Sequence, residues 1–145
     1  MTSFVSRLQA VALLAFSTLS LMAQGPTPAK LEGEWKAVKG SRGGRELDAE
    51  HLSKVMVTIA GGTITIKEPG ISEKATLANI TAGKPGTVDL VIDIKGKSAT
   101  LEGIFELDGD DLALCLSKLP EKGTRPKGFE ATAESVSLLR LKRVK

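Results

Sequence analysis

Residues 87–117 read TVDLVIDIKGKSATLEGIFELDGDDLALCLS, and their pattern indicates the fold class most clearly. Apolar and polar residues alternate with a period of two along three segments, Thr87–Ile94, Ser98–Leu107 and Asp111–Ser117. That period is typical of β-strands that bury one face. The turn sequences Lys95-Gly96-Lys97 and Asp108-Gly109 separate the segments. The stretch therefore predicts three consecutive antiparallel strands, with a tight type I′ hairpin turn at Asp108-Gly109.

The rest of the chain continues the same pattern of short strands and tight turns. Further strands are predicted at Gly33–Val38, Val55–Ala60, Thr63–Lys67, Glu73–Ile80 and Ser135–Val144. One helix is predicted at Leu47–Lys54, with Asp48 placed to cap it. Because the spacing leaves no room for βαβ units, the sheet should be antiparallel, and closure of the sheet on itself removes its edges. The predicted fold is all-β: an eight-stranded antiparallel meander closed into a barrel, with one short helix.

The N-terminus has the features of a secretory signal peptide. Arg7 precedes an apolar stretch from Leu8 to Leu21, and Ala23 supplies a small residue for cleavage. The stretch is shorter and richer in hydroxyl groups than a membrane-spanning helix, which needs about 20 apolar residues. We therefore expect a signal peptide at 1–23, a linker at 24–30 and the barrel domain at 31–145. The mature protein should be secreted or periplasmic, with no transmembrane segment after cleavage.

The composition excludes several classes of function. The chain of 145 residues has one His, one Cys, one Trp and no Tyr, so neither a His-rich zinc site nor a Cys-x-x-Cys framework is available. We predict no metal and no cofactor. The formal net charge is only +3, and few aromatic residues follow the signal peptide, which argues against a nucleic-acid-binding surface. No nucleophile motif such as Gly-x-Ser-x-Gly is present, so we predict no catalytic residues and no enzyme.

The block GIFELDGDDLALC at residues 103–115 resembles the central motif of a family of short secreted domains of unknown function that is abundant in planctomycetes. Leu31-Glu32-Gly33-Glu34-Trp35 looks like the opening signature of that family, and Arg125-Pro126-Lys127-Gly128-Phe129 looks like its Arg-Pro-x-x-Phe loop. Residues 138–143 resemble its closing strand. The family is described as lipocalin-like, so the resemblance implies the same barrel that the turn pattern predicts.

The resemblance also implies structural roles for particular residues. In lipocalins, a Gly-x-Trp motif similar to Gly33–Trp35 opens the first strand, and the Trp closes one barrel end beneath an Arg from the final strand. By position that Arg would be Arg140. Asp108 and Gly109 are expected to have a structural role in the central hairpin.

Three other candidates have ordinary structural explanations. His51 lies in the predicted helix beside Glu50, but one His does not form a catalytic or metal site. Cys115 lies on the strand face opposite its neighbouring leucines and should be a small buried hydrophobic residue, either inside the barrel or beneath the helix and loops. The acidic residues around Gly109 lack the spacing of a calcium loop and suit a hairpin turn.

Two functions remain open at this point, because eight strands enclose either a filled core or room for one small ligand. In the first, the barrel binds a small apolar ligand against interior side chains, for which we predict Trp35, Leu90, Ile92, Leu101, Phe105 and Leu107. In the second, a filled barrel acts through its surface on an envelope protein partner. The contact would then be the loop 118–130, with Arg125 and Lys127, and the basic last strand. Residues 118–145 hold eight basic and three acidic residues, which either attract an anionic surface or keep the terminal strand soluble.

Overall fold

A computed structural model of the chain describes residues 28–118, 120–121, 123–130 and 136–145. The predicted signal peptide and most of the linker lie outside these residues. The described residues form nine strands and one helix. In chain order they are β1 (Gly33–Arg42), β2 (Arg45–Glu46), α1 (Ala49–Ser53), β3 (Met56–Ala60), β4 (Thr63–Glu68), β5 (Ile71–Thr81), β6 (Gly86–Ile94), β7 (Lys97–Asp108), β8 (Asp111–Ser117) and β9 (Val136–Arg143).

The strands form a closed antiparallel barrel, which confirms the predicted fold class. Each of β3 to β9 pairs with its neighbour in sequence, and β1 pairs with both β3 and β9. Eight strands thus close the barrel. The two-residue strand β2 pairs only with β1 and lies outside the barrel. It is an addition to the prediction, formed where the chain reverses at Gly43 and Gly44, both with positive φ.

Glycines allow most of the tight turns. Gly61 and Gly62 both have positive φ, as do Lys95 and Gly96, which is the backbone pattern of a type I′ hairpin. The β7–β8 turn differs from the prediction. Its central residues are Gly109 and Asp110, and of these two Gly109 alone has positive φ, at 60°. The predicted type I′ turn is therefore wrong, and positive φ at the first central residue alone is the pattern of a type II′ turn.

The period of two predicts correctly which side chains of the central strands point inward. Leu101, Phe105 and Leu107 of β7 belong to the inner core or pack against it, whereas Ile104 points outward. Ile104 belongs to a separate outer cluster with Cys115, Val136 and Leu138, against which Phe129 packs. Cys115 thus lies outside the barrel wall and is fully buried there. Desolvation by this burial raises the pKa of its thiol, which keeps it protonated and unreactive at neutral pH.

The first strand is longer than predicted because it passes through a bulge. The register between β1 and β9 shifts between Ala37 and Lys39, and Val38 at the bulge is largely exposed. A bulge adds one residue to a strand and changes which later side chains face inward. Beyond it, β1 continues pairing with β9 as far as Arg42, opposite Ser137. The predicted helix is present but shorter, and the Asp48 side chain caps it by accepting a hydrogen bond from the His51 N–H at 2.7 Å.

Candidate functional site

One end of the barrel is closed by Trp35, whose side chain is fully buried. Its indole N–H donates a hydrogen bond to the carbonyl oxygen of Leu31 at 3.0 Å. The guanidinium carbon of Arg143 lies 4.3 Å from the centre of the ring. Arg143 also donates hydrogen bonds to the carbonyl oxygens of Glu32 and Lys30, at 2.8 and 2.5 Å. The segment before β1 is thereby tied across the barrel end.

The residue over Trp35 is Arg143, so the prediction of Arg140 is wrong. Side chains of β9 alternate, and Leu139 and Leu141 belong to the inner core, which places Arg143 on the inner face and Arg140 on the outer face. Arg140 is exposed. Gly33 has the structural role expected of it, because a Cβ there would lie 2.8 Å from the Arg143 guanidinium and its φ is 134°.

Asp110 adds a second set of contacts at the closed end. Its carboxylate lies 2.8 Å from the Lys145 ammonium and 3.4 Å from Nε of Arg143. The hydrogen bond from Lys145 lowers the pKa of this carboxyl below its usual range, and Arg143 contributes in the same direction. The same hydrogen bond raises the pKa of Lys145. Lys145 is exposed, whereas Asp110 and Arg143 are half-buried. Asp110 and Lys145 thus extend the plug that Trp35 and Arg143 form at the closed end.

The opposite end of the barrel is open and contains a cavity of about 490 Å³. Apolar side chains of six strands, β4 to β9, form its wall: Ile64, Ile66, Ala75, Leu90, Ile92, Ile94, Leu101, Leu114, Leu116 and Leu139. Small-molecule pockets typically measure about 300 to 1,000 Å³ and are mostly apolar, so this cavity has the size and the lining of a ligand site.

Polar groups line the mouth of the cavity. Arg42 and Glu68, at the ends of β1 and β4, form a hydrogen-bonded ion pair. The Glu68 side chain is only 4% exposed, whereas that of Arg42 is 38% exposed. Ser137 and Ser117 also line the cavity. Polar groups that fix the orientation of a ligand within an apolar pocket are typical of binding sites.

Three of the six predicted interior residues line this cavity, namely Leu90, Ile92 and Leu101. Trp35, Phe105 and Leu107 also belong to the inner core or pack against it, but they lie away from the cavity. Sequence reasoning missed Arg42 and Glu68, since both follow the predicted ends of their strands. Ile64 and Ile66 are two residues apart in the predicted strand Thr63–Lys67, so the period of two could have identified them as cavity residues.

The long loop is fastened to the outer wall by Arg125. Its guanidinium donates to the carboxylates of Asp89 and Glu102, at 2.7 and 3.1 Å, and to the carbonyl oxygens of Gly103 and Val88, at 2.7 and 3.2 Å. Two carboxylates neutralise its charge, so Arg125 is engaged with the barrel wall. Asp89 belongs to the polar face of β6 and is nevertheless buried, beneath the loop.

Two other residues of the loop 118–130 differ in their surroundings: Phe129 packs against the barrel wall, and Lys127 faces solvent. Phe129 packs on the outer cluster around Cys115, which gives the loop its second anchor. Lys127 is exposed.

His51 is half-buried on α1. In the part of the chain that the structure describes, no group of three or more His, Cys, Asp or Glu side chains could hold a metal ion.

The fold and the cavity together define an antiparallel β-barrel that is plugged at one end and hollow at the other. No protein-family model matches the chain, and neither a curated protein nor a solved structure matches it. The resemblance to the planctomycete family therefore stays a prediction. None of the helices within the described ranges has both the length and the apolar character needed to cross a membrane.

Proposed function

We propose that this protein is a non-enzymatic binding protein that holds a small, mostly apolar ligand in the open end of its barrel. The observation that carries the proposal is the cavity of about 490 Å³ with an apolar wall and a polar mouth. Burial of apolar ligand surface against that wall would contribute about 25 cal/mol per Å², which is enough for useful affinity from a ligand of modest size.

The location of the cavity supports the same function. The plug of Trp35 and Arg143 stabilises the opposite end, so the open end is free to contain unfilled space.

We further propose that the protein is secreted or periplasmic, on the strength of the signal-like sequence at 1–23 and of the resemblance to a family of secreted domains. An action on an envelope protein through the loop 118–130 is the alternative. The engagement of Arg125 with two carboxylates makes that loop less suited to it.

The proposal is tested with N-phenylnaphthylamine, a neutral fluorophore whose emission rises in apolar surroundings. We expect saturable one-to-one binding by the wild-type protein. Ala75→Phe adds a ring to the buried cavity wall and should weaken binding at least about tenfold, because it fills the space a ligand would occupy.

The matched control is Thr76→Phe, which adds a ring to the next residue of the same strand, on its exposed face. This variant should bind the fluorophore like the wild type. Cooperative urea unfolding of both variants would show that they are folded. Absence of saturable binding by the wild-type protein, or an equal loss in both variants, would contradict the proposed cavity site.

A further inference from the structure

The cavity has two zones of different polarity, which indicate how a ligand would be oriented. The apolar wall includes Leu90, Leu101 and Leu114, whereas Arg42 and Glu68 lie at the mouth. Their ion pair links the ends of β1 and β4. Strand β3 lies between β1 and β4 in the sheet and begins at Met56, which is paired with Lys67 of β4. Because Glu68 follows Lys67, the ion pair lies beyond the start of β3. A ligand that matches both zones has an apolar chain and a polar head group.

The charge of Arg42 is already neutralised. Glu68 is nearly inaccessible to solvent and is hydrogen-bonded to it. The other charged residues that line the cavity are also balanced, with Lys74 and Lys118 against Glu73 and Asp93. An anionic head group at Arg42 would lie next to the Glu68 carboxylate, and in a poorly solvated site like charges repel strongly.

One hydrogen-bond donor in this pair has no acceptor among the described residues. Nε of Arg42 is buried and makes no hydrogen bond to the described residues. A buried N–H without an acceptor is unusual in folded proteins and is costly, so it calls for a partner that the described residues do not supply. Rotation of the Arg42 side chain, which is 38% exposed, would bring this N–H to a ligand head group at the mouth, and the head group would then supply the acceptor.

Building on the proposed binding function, we propose that the ligand is a single-chain amphiphile with an uncharged head group that accepts a hydrogen bond from Arg42. A fatty alcohol and a fatty-acid monoester both belong to this chemical class. The head group lies at the pair of Arg42 and Glu68, and the chain extends along the apolar wall toward Leu90 and Leu101. Glu68 has the role of a specificity residue, because it cancels the charge that would otherwise attract a carboxylate.

The test compares three ligands with the same chain and different head groups: dodecanol, dodecanoate and dodecylammonium. Each displaces N-phenylnaphthylamine from the full-length protein at about pH 8, where a carboxylic acid is ionised. We expect wild-type protein to bind dodecanol more tightly than either charged ligand. In Glu68→Gln, the affinity for dodecanoate relative to dodecanol should rise at least about tenfold, because Arg42 then carries an uncompensated charge. The change in this affinity ratio between wild type and Glu68→Gln cancels the contribution of the chain and the cost of desolvating each head group.

A second variant tests the hydrogen bond separately. Arg42→Lys keeps the positive charge and removes the Nε–H donor, so it should weaken dodecanol binding about tenfold. A wild-type preference for dodecanoate, an unchanged ratio in Glu68→Gln, or unchanged dodecanol binding in Arg42→Lys would each overturn the head-group inference. If Glu68→Gln does not fold, the ranking by the wild type and the Arg42→Lys result decide. Failure of the wild type to bind the fluorophore or any of the three chains would contradict the proposed function itself.

Discussion

The two ends of the barrel are built from the same strands but differ in how they use their inward-facing residues. At the closed end, Trp35 and Arg143 stack, and two side-chain hydrogen bonds of Arg143 hold the segment before β1 in place. At the open end, Arg42 and Glu68 pair across the wall above an unfilled cavity. The difference indicates that stabilising contacts are concentrated at one end, and it supports the proposal that the other end binds a ligand.

The largest expected effect is at the plug. Trp35→Ala empties a fully buried site and should destabilise the protein by about 3 to 5 kcal/mol, the usual range for a large aromatic core residue. Leu101→Ala, at the cavity wall, should cost no more than about 2 kcal/mol, because Leu101 is half-buried and already borders open space. Urea unfolding of the two variants measures both values. Equal losses of unfolding free energy in the two variants would contradict the proposed difference between the two ends.

The next effect concerns the loop beside the open end, which contributes Lys118 to the cavity lining. Arg125→Ala should cost about 2 to 3 kcal/mol, because it leaves the largely buried carboxylates of Asp89 and Glu102 without their common cation. Arg125→Lys should recover only part of this loss, since an ammonium cannot reproduce the four hydrogen bonds of the guanidinium. Thermal unfolding under identical conditions provides the comparison. Full recovery by Lys would mean that the net charge alone anchors the loop.

A smaller effect distinguishes two arginines of β9. Arg143→Ala should destabilise the protein by about 1 to 2 kcal/mol through loss of the contact with Trp35 and of two hydrogen bonds. Arg140→Ala, on the exposed outer face, should change stability by less than about 0.5 kcal/mol. Unfolding in guanidinium chloride gives both values. The reverse order would restore Arg140 as the residue that caps Trp35.

The smallest effect is a pH dependence at the plug. The pKa of Asp110 is lower in the folded protein than in the unfolded chain, so its contacts with Lys145 and Arg143 add stability above the unfolded pKa. That contribution is lost as the pH falls through the lower, folded pKa. Asp110→Asn should therefore flatten the decline in stability on the acidic side and leave the slope near neutral pH unchanged. Parallel acidic slopes for the two proteins would show that these contacts are not coupled to folding.

Much of the fold followed from local patterns in the sequence. The alternation in β6, β7 and β8 identified the inward faces, and the order of strands and turns led to closure of the barrel. Cys115 was placed on the correct strand face by the same alternation, although the pattern did not show that the outer face would be covered by Phe129.

The candidate site was harder to predict because it depends on strand ends and on register. Val38 forms a bulge that the alternation does not reveal, so Arg42 fell beyond the predicted end of β1. Glu68 fell one residue beyond the predicted end of β4. The choice of Arg140 over Arg143 came from a family resemblance, whereas the period of two counted from Leu139 and Leu141 would have placed Arg143 inward.

The most direct test of the central claim, that the open end holds a ligand, is native mass spectrometry of the protein purified from its own organism without refolding. We expect a reproducible one-to-one adduct with an uncharged, single-chain molecule. Denaturation should release this molecule, and its mass would identify it. A bare protein mass under conditions that preserve the folded barrel would contradict the account and direct attention to the outer surface.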